Sequence, residues 1–294
     1  MLKKFDTLGL IITIALVALD GFLWFTILGM RMNVVAGTHE YFLDVGQGDS
    51  ELFIFGGGVK VMTDAGPDDT VLESLEKVLL QGDRYIDLAI ITHPKADHFN
   101  GYNAMLDNGY RFGAFVYNGR DDDPPAVAWN MLIRKIKDNH IPLVTLGAGD
   151  SIRSGGDNIA FLSPNRDFSG SAELNDTGLV ERVTTHGLRT LLTADTGFAI
   201  ENFFLSHGVD VRADVLKVAH HGSKYSSDGA FLRAVDPKLA VIEVGVKKTY
   251  GHPSKETLLR IASSTHAAVL RTDRNGTVEI LAVNGAVKVF EEKR

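Results

Sequence analysis

The sequence predicts a mixed α+β domain behind one apolar N-terminal helix, and three observations carry that expectation. Residues 8–30 form a nearly unbroken apolar run. From Tyr41 onward, short strand-like segments and turns alternate with helical patterns, hairpins leading and helices following in each half. Histidines and aspartates recur just after the apolar strand-like runs. At 294 residues, 45% of them apolar and 23% charged, the chain is long enough to bury a full core. It has no cysteine, so disulfides and thiolate-bound metals are excluded, and any metal must be held by His, Asp, Glu and water. The net charge of −7 argues against a broad basic face for a phosphate backbone. It leaves room for a local cationic site, because a bound metal brings its own positive charge.

In residues 8–30 only Thr13, Asp20 and Thr26 interrupt the apolar character. As a helix the run would extend about 34 Å, enough to cross the hydrocarbon core of a bilayer. A cleaved signal peptide is the alternative, since Lys3 and Lys4 precede the run; however, the run is long for one and no small-x-small site follows Leu28. The sequence therefore predicts an anchor over residues 1–33 and a single domain over 34–294. Lys3 and Lys4 lie before the span and only Arg31 follows it before Lys60. That bias predicts a single-pass cell-membrane protein with its domain outside the cytoplasm. Asp20 at mid-span costs roughly 3 kcal/mol, relieved by protonation or by a contact with another helix.

The domain opens with a strand near 41–44 that runs into a glycine-rich turn at 45–50. Strands at 51–55 and 59–63 flank Gly56-Gly57-Gly58 and end in Asp64-Ala65-Gly66-Pro67. Val71, Leu72, Leu75, Val78 and Leu79 have helical spacing, predicting a helix over 70–80. A buried strand at 86–91 then leads into Thr92-His93-Pro94-Lys95-Ala96-Asp97-His98. Two imidazoles and a carboxylate behind one strand end converge on a point and suit a divalent metal such as zinc or manganese. A short helix at 101–106 and a strand at 112–117 follow. Pro124-Pro125 opens a helix that runs to Asp138, with Pro142 beyond its end. A hairpin at 180–185 and 188–193 turns at His186-Gly187 and ends in Asp195. The strand at 214–219 ends in His220-His221-Gly222-Ser223, and another strand covers 239–244. Gly251-His252-Pro253-Ser254 caps a helix to about Ser264, and three short strands close the chain up to Phe290. Strand ends lying side by side in a sheet would gather Asp64, His93 to His98, Asp195, the two neighbouring histidines and His252 at one rim.

This set resembles the metallo-beta-lactamase superfamily, whose His-x-His-x-Asp-His turn is followed by a metal-bridging aspartate and later histidines. More closely, it resembles the hydrolase domain of the ComEC-type competence protein family. The matching pieces are Phe42-Leu43-Asp44-Val45-Gly46-Gln47-Gly48-Asp49, Asp64-Ala65-Gly66, Thr92-His93-Pro94 with Asp97-His98, and Leu192-Thr193-Ala194-Asp195. They continue with Leu216-Lys217-Val218, His220-His221-Gly222-Ser223, Gly251-His252-Pro253, and Arg271-Thr272-Asp273 with Gly276. The resemblance covers about residues 40–283. It implies a four-layer αββα sandwich with a metal site at one edge, holding one or two zinc or manganese ions.

Asp97, His98 and Asp195 are the expected ligands, joined by His93 and by one of His220 and His221 while its neighbour hydrogen-bonds within the site. Lys95 and His252 join Asp97 as candidate catalytic groups, His252 as ligand or as proton donor to a leaving group. Asp44, Asp49 and Asp64 are candidates to orient the ligands, and Lys217 and Ser223 to contact phosphate. The sequence departs from the family in two respects. Lys95 stands where the turn's second histidine, or an aspartate, would bind the first metal, and a charged ammonium cannot coordinate. His186, on its hairpin tip, reads as a solvated turn residue rather than the histidine that completes that site. One occupied metal position is therefore expected, with Lys95 supplying part of the missing positive charge. The family's multi-helix channel domain has no counterpart in this sequence, so only the properties of the hydrolase module carry over.

The resulting expectation is a membrane-anchored, metal-dependent hydrolase, a phosphodiesterase or nuclease acting on DNA. The alternatives are a hydrolase of the same fold for another ester, lactone or amide or for a small phosphodiester such as a choline phosphate, or a catalytically silent anchored module. Retention of Asp97, His98, Asp195 and the double histidine speaks against the silent module.

Overall fold

Two β-sheets face each other because alternate strand residues are apolar on both sides. The computed structural model describes residues 7–32, 37–121, 126–247, 250–283 and 286–293. After helix α1 (Thr7–Met32), the first sheet takes β1 (Thr38–Phe42), β2 (Glu51–Ile54), β3 (Lys60–Thr63), β4 (Tyr85–Ile91), β5 (Arg111–Tyr117) and β6 (Leu143–Thr145). The second takes β7 (Ser151–Ser154), β8 (Asp157–Ser163), β9 (Val180–Thr185), β10 (Leu188–Leu192), β11 (Val215–Lys217), β12 (Leu239–Ile242) and β13 (Ala268–Arg271). The chain then returns to the first sheet with β14 (Val278–Val283) and β15 (Ala286–Glu291). The spatial orders are β15-β14-β1-β2-β3-β4-β5-β6 and β13-β12-β11-β10-β9-β8-β7.

Strand β4 displays the period of two that makes these layers. Ala89 and Ile91 face outward to the helices, while Ile90 packs inward with Phe42, Phe53 and Val116 against Phe161, Val183, Leu192 and Val241 of the other sheet. Helices α2 (Thr70–Val78), α3 (Ala96–Asp107) and α4 (Val127–Asp138) cover the first sheet through Val71, Leu75, Phe99, Tyr102, Trp129 and Leu132. Helices α5 (Phe198–Ser206), α6 (Gly229–Val235) and α7 (Lys255–Ser264) cover the second through Ile200, Phe204, Phe231, Leu232 and Ile261. Each of these large apolar side chains contributes roughly 1.5–3 kcal/mol by leaving water. A last helical turn, α8 (Thr272–Asn275), connects the sheets. The architecture is the expected α+β sandwich of four layers.

Several boundaries differ from expectation. The segment from His93 to His98 is not all turn: α3 starts at Ala96, five residues before the expected helix, and takes in Asp97 and His98. Lys95 has extended backbone there, and Asp97 in the first turn complements the positive helix end. The Pro124-Pro125 opening of α4, like Lys3 and Lys4, lies outside the described residues. Among the described residues no helix is long and apolar enough to cross a membrane. The side chains described in α1 are those of residues 12–24, only part of the expected span, and all of them are exposed.

Candidate metal centre

Strands β3 and β4 of the first sheet lead to Asp64 and His93, and β10 and β11 of the second to Asp195 and to His220-His221. The polar ends thus meet across the sandwich, not all side by side in one sheet as the sequence suggested. The chain bends sharply as it leaves the strands: Asp64, Ala194, His220 and His221 adopt left-handed backbone, with φ of 53°, 45°, 50° and 52°. Such non-glycine conformations are uncommon and concentrate at functional sites. Gly222 continues the bend at φ +80°, and a Cβ there would lie 2.6 Å from Cβ of Pro253, so glycine alone fits.

Asp97, His98, Asp195 and His221 place one donor atom each within 4.8 Å of one another. Nε2 of His98 lies 3.4 Å from Oδ2 of Asp195. Nε2 of His221 lies 3.4 Å from Oδ2 of Asp97 and 3.6 Å from Oδ1 of Asp195. The far nitrogens fix the tautomers. Nδ1 of His98 donates to Oδ2 of Asp64 at 2.7 Å, and Asp64 is itself held by the Thr92 amide at 2.9 Å and hydroxyl at 2.6 Å. Nδ1 of His221 donates to the Glu243 carbonyl at 3.0 Å. Both Nε2 atoms therefore face the carboxylates, and each offers its lone pair there once no proton occupies it. These two nitrogens and Oδ1 of Asp195 are buried with no hydrogen-bond partner. Orphaned acceptors aimed at one point are costly unless a cation satisfies them. Separations of 3.4–3.6 Å are long for hydrogen bonds and suit donors sharing an ion about 2.0–2.2 Å from each. The donor set fits a divalent metal.

The electrostatics agree. Burial opposes a charge on His98, but Asp195 and Asp64 outweigh it and raise its pKa well above the usual value. Metal binding there must release a proton. Burial likewise opposes ionisation of Asp97 and Asp195; neighbouring histidines, led by His221, nevertheless hold both below the ordinary carboxylate range.

The remaining candidates separate clearly. His221 belongs to the donor group, whereas the His220 side chain is 28% exposed, with Nε2 3.6 Å from Asp195 and Nδ1 3.4 Å from the amide of Asn175. His93 is buried beside His98, ring centroids 4.2 Å apart, outside the four-donor group. Its pKa is pushed well down by burial and then by His98, and its Nε2 has no hydrogen-bond partner. Half-buried Lys95 lies near enough for its charge to act on both His93 and His220. The His252 ring stands at the rim, 5.6 Å from that of His220 and 6.2 Å from that of His221. His186 is exposed on its hairpin tip.

Three expected roles change. The Asp44 carboxylate pairs with Lys293 at 2.7 Å rather than orienting an imidazole. Lys217 is completely buried beneath the site, where no substrate phosphate reaches it; its ammonium contacts the Asp49 carboxylate and the Ala194 carbonyl. Ser223 is buried too, and its hydroxyl accepts the Tyr225 amide at 3.3 Å. Asn175, Thr92 and Glu243 are site residues that the sequence left unmarked. Glu243 had a signal, as an acid inside the apolar run 239–244; Asn175, in a single 3-10 turn at Leu174–Thr177, had none.

No family model matches the chain. It is 28% identical over 254 residues to ComE operon protein 3 of Bacillus subtilis (strain 168), covering 81% of this chain and 32% of that protein. It is 26% identical over 215 residues to competence protein ComA of Neisseria gonorrhoeae, covering 70% of this chain and 27% of that one. The chain thus spans about a third or less of the relatives it matches. Among solved structures, the metallo-beta-lactamase fold protein YhfI of Bacillus subtilis superposes with a TM-score of 0.55 at 14% identity, covering 86% of this chain and 99% of YhfI. The chain has the metallo-beta-lactamase fold, and it is similar in sequence to competence proteins of the ComEC type.

Proposed function

We propose that the chain is a metal-dependent phosphodiesterase that cleaves nucleic acid. The observation that carries this is the quartet of half-buried Asp97 with buried His98, Asp195 and His221: their donor atoms converge as a divalent zinc or manganese ion requires, and those of His98, His221 and Asp195 have no hydrogen-bond partner. Such an ion, when bound, acts as a Lewis acid toward a phosphoryl oxygen and makes water acidic enough to ionise near neutrality. The chain's own residues do the rest. Neutral His93 is the base that takes a proton from water through Nε2. Lys95 supplies positive charge against the charge that develops on the phosphoryl oxygens, from the slot where the fold commonly places a ligand of the first metal. His252, at the rim, gives a proton to the departing oxygen.

The rim favours nucleic acid over a small ester. Tyr225 and Tyr250 are 65% and 71% exposed on the loops that follow His221 and precede His252. A cavity of about 630 Å³ beside Asp97 is lined by Gln47, Lys247 and Tyr250 and also by the acids Asp44 and Asp68. Exposed aromatic rings beside lysines form a stacking surface for bases with charge for the backbone. The Lys224 ammonium already lies 5.0 Å from the centre of the Tyr225 ring, which disfavours a quaternary ammonium there and so a choline phosphate. The net charge of −7 favours a single strand over a long duplex. The exposed, mostly apolar side chains of residues 12–24 in α1 suit an apolar surrounding, and α1 as the membrane anchor of an extracytoplasmic 34–294 domain is part of this proposal.

The test is hydrolysis of bis(p-nitrophenyl) phosphate and of a single-stranded oligonucleotide by the full chain in detergent, with manganese or zinc. Both substrates are expected to turn over only with metal, and an Asp97→Ala, Asp195→Ala double variant is expected to be inactive. Bound metal with turnover of lactones or carboxyl esters alone would replace the proposal with another hydrolase. Failure to bind metal would leave the silent module.

A further inference from the structure

Beneath the quartet the fold buries a second, differently built charge cluster. Asp49, Glu51 and Glu243 bring carboxylate oxygens within 4.8 Å of one another, all at 2% exposure or less. Among them lies the ammonium of Lys217, with no exposure at all, on the Asp49 carboxylate and 3.0 Å from the Ala194 carbonyl. A lysine so deep is costly unless its partners are fixed, and removing one member of such a pair leaves the other charge stranded.

The partners of Lys217 are the groups that hold the four expected ligands. The Asp49 carboxylate lies 3.1 Å from Nδ1 of His221 and 3.7 Å from Nδ1 of His98. The Asp49 amide donates to the Asp97 carbonyl at 3.2 Å. Ala194, in left-handed backbone, directly precedes Asp195, and its carbonyl also accepts the His220 amide at 3.0 Å. Thr193 ties the same turn to the Lys217 carbonyl through a hydroxyl bond of 2.6 Å. A single ammonium thus joins the segments carrying Asp97, His98, Asp195 and His221, which come from both sheets.

We propose that Lys217 is a positioning residue of the metal centre: its buried amine holds Asp49 against the two ligand imidazoles and anchors the Ala194-Asp195 turn. This rests on the metal-centre assignment above, though not on the identity of the substrate. Without the Lys217 amine, Asp49 loses the partner that fixes it beside the two imidazoles, and the Asp195 turn loses a tether.

The experiment measures metal affinity by chelator competition, and the absorption spectrum of the cobalt-substituted full chain, without substrate. The variants are Lys217→Met, Asp49→Asn and the two combined. Expected are a loss of affinity of about 10–100-fold in each single variant and a changed cobalt spectrum. The double variant should lose little more than either single one, because the two residues act as one unit. A merely structural lysine would lower thermal stability and leave affinity and spectrum of the folded variant unchanged; that result overturns the proposal. If Lys217→Met does not fold, Asp49→Asn decides alone, since it keeps the shape and removes the charge: wild-type affinity overturns the proposal, and a loss of tenfold or more upholds it. An intact chain that binds no metal would overturn both this and the metal centre, whereas a metal-binding chain without phosphodiesterase activity would overturn only the proposed function.

Discussion

His98 and His221 do the same work with different supports, and each support predicts a different failure. Asp64 fixes His98 with a full charge, while His221 is fixed by the Glu243 carbonyl with the Asp49 carboxylate close beside it. Substituting Asp64→Asn is expected to weaken metal binding about 10–100-fold, as loss of a ligand-orienting carboxylate does, with the fold retained. Calorimetric titration with manganese or zinc checks this. His221→Ala is expected to cost more than a hundredfold on the same scale, and His220→Ala less than about tenfold, because only His221 belongs to the donor group. Asp97, His98 and Asp195 could be picked out of the sequence as candidates because each lies in a polar cluster just behind an apolar strand. The choice between the adjacent histidines was not legible. It depends on which ring turns Nδ1 toward Glu243, and two successive left-handed residues decide that. Lys217 was misread for a related reason: β11 is too short for its alternation to say which face is buried.

At the scale of elements, the site depends on how closely α3 sits against the turn at Asp64. The Ala65 amide donates to the His98 carbonyl at 2.7 Å, and the Gly101 amide to the Gly66 carbonyl at 2.9 Å. A Cβ on Gly101 would fall 1.9 Å from the Ala65 carbonyl oxygen, a rigid backbone atom. Gly101→Ala is therefore expected to push α3 off the turn, destabilise the domain by about 3 kcal/mol and weaken metal binding together. Urea denaturation and metal titration of the same variant check the two effects, and a change in only one would break the link. The sequence located this helix but not its start, because Pro94 and Lys95 look like turn residues and the tertiary fit of Ala96–Asp107 is not local information. Strands β6, β7 and β8 have no counterpart among the expected strands: β6 and β7 are short and half-exposed, so their alternation is weak, whereas β8 alternates regularly and was legible in principle. The hairpins β2–β3 and β9–β10 were plain, since their turns carry glycines between strongly patterned strands.

For the molecule as a whole, the interface between the sheets is not purely apolar. Glu40 is buried there and accepts the Thr190 hydroxyl at 2.6 Å, and Glu181 accepts the Thr63 hydroxyl at 3.1 Å. Burial pushes Glu40 up from 4.5 to about 7 and Glu181 to about 8, only partly offset by those hydroxyls. A folded-state pKa above the unfolded one means that the native state holds the proton more tightly. The contribution to stability is thus full below pH 4.5 and is lost as pH rises through about 7. For Glu40 the loss is on the order of 3 kcal/mol. Glu40→Gln, which needs no proton, is expected to gain on the wild type between pH 5 and pH 8, most of the gain coming below pH 7. Parallel melting curves across that range would refute this by keeping a constant gap. The four-layer order itself was legible through the family resemblance, but these acids between the sheets were not, because a strand's inner face is defined only by its partner sheet.

The most direct measurement is the metal content of the purified chain after equilibration with manganese or zinc and removal of free ion. One ion per chain, absent from the Asp97→Ala, Asp195→Ala double variant, is the predicted result. Two ions per chain would contradict the role given to Lys95, and none, or retention of the ion in the double variant, would contradict the metal centre itself.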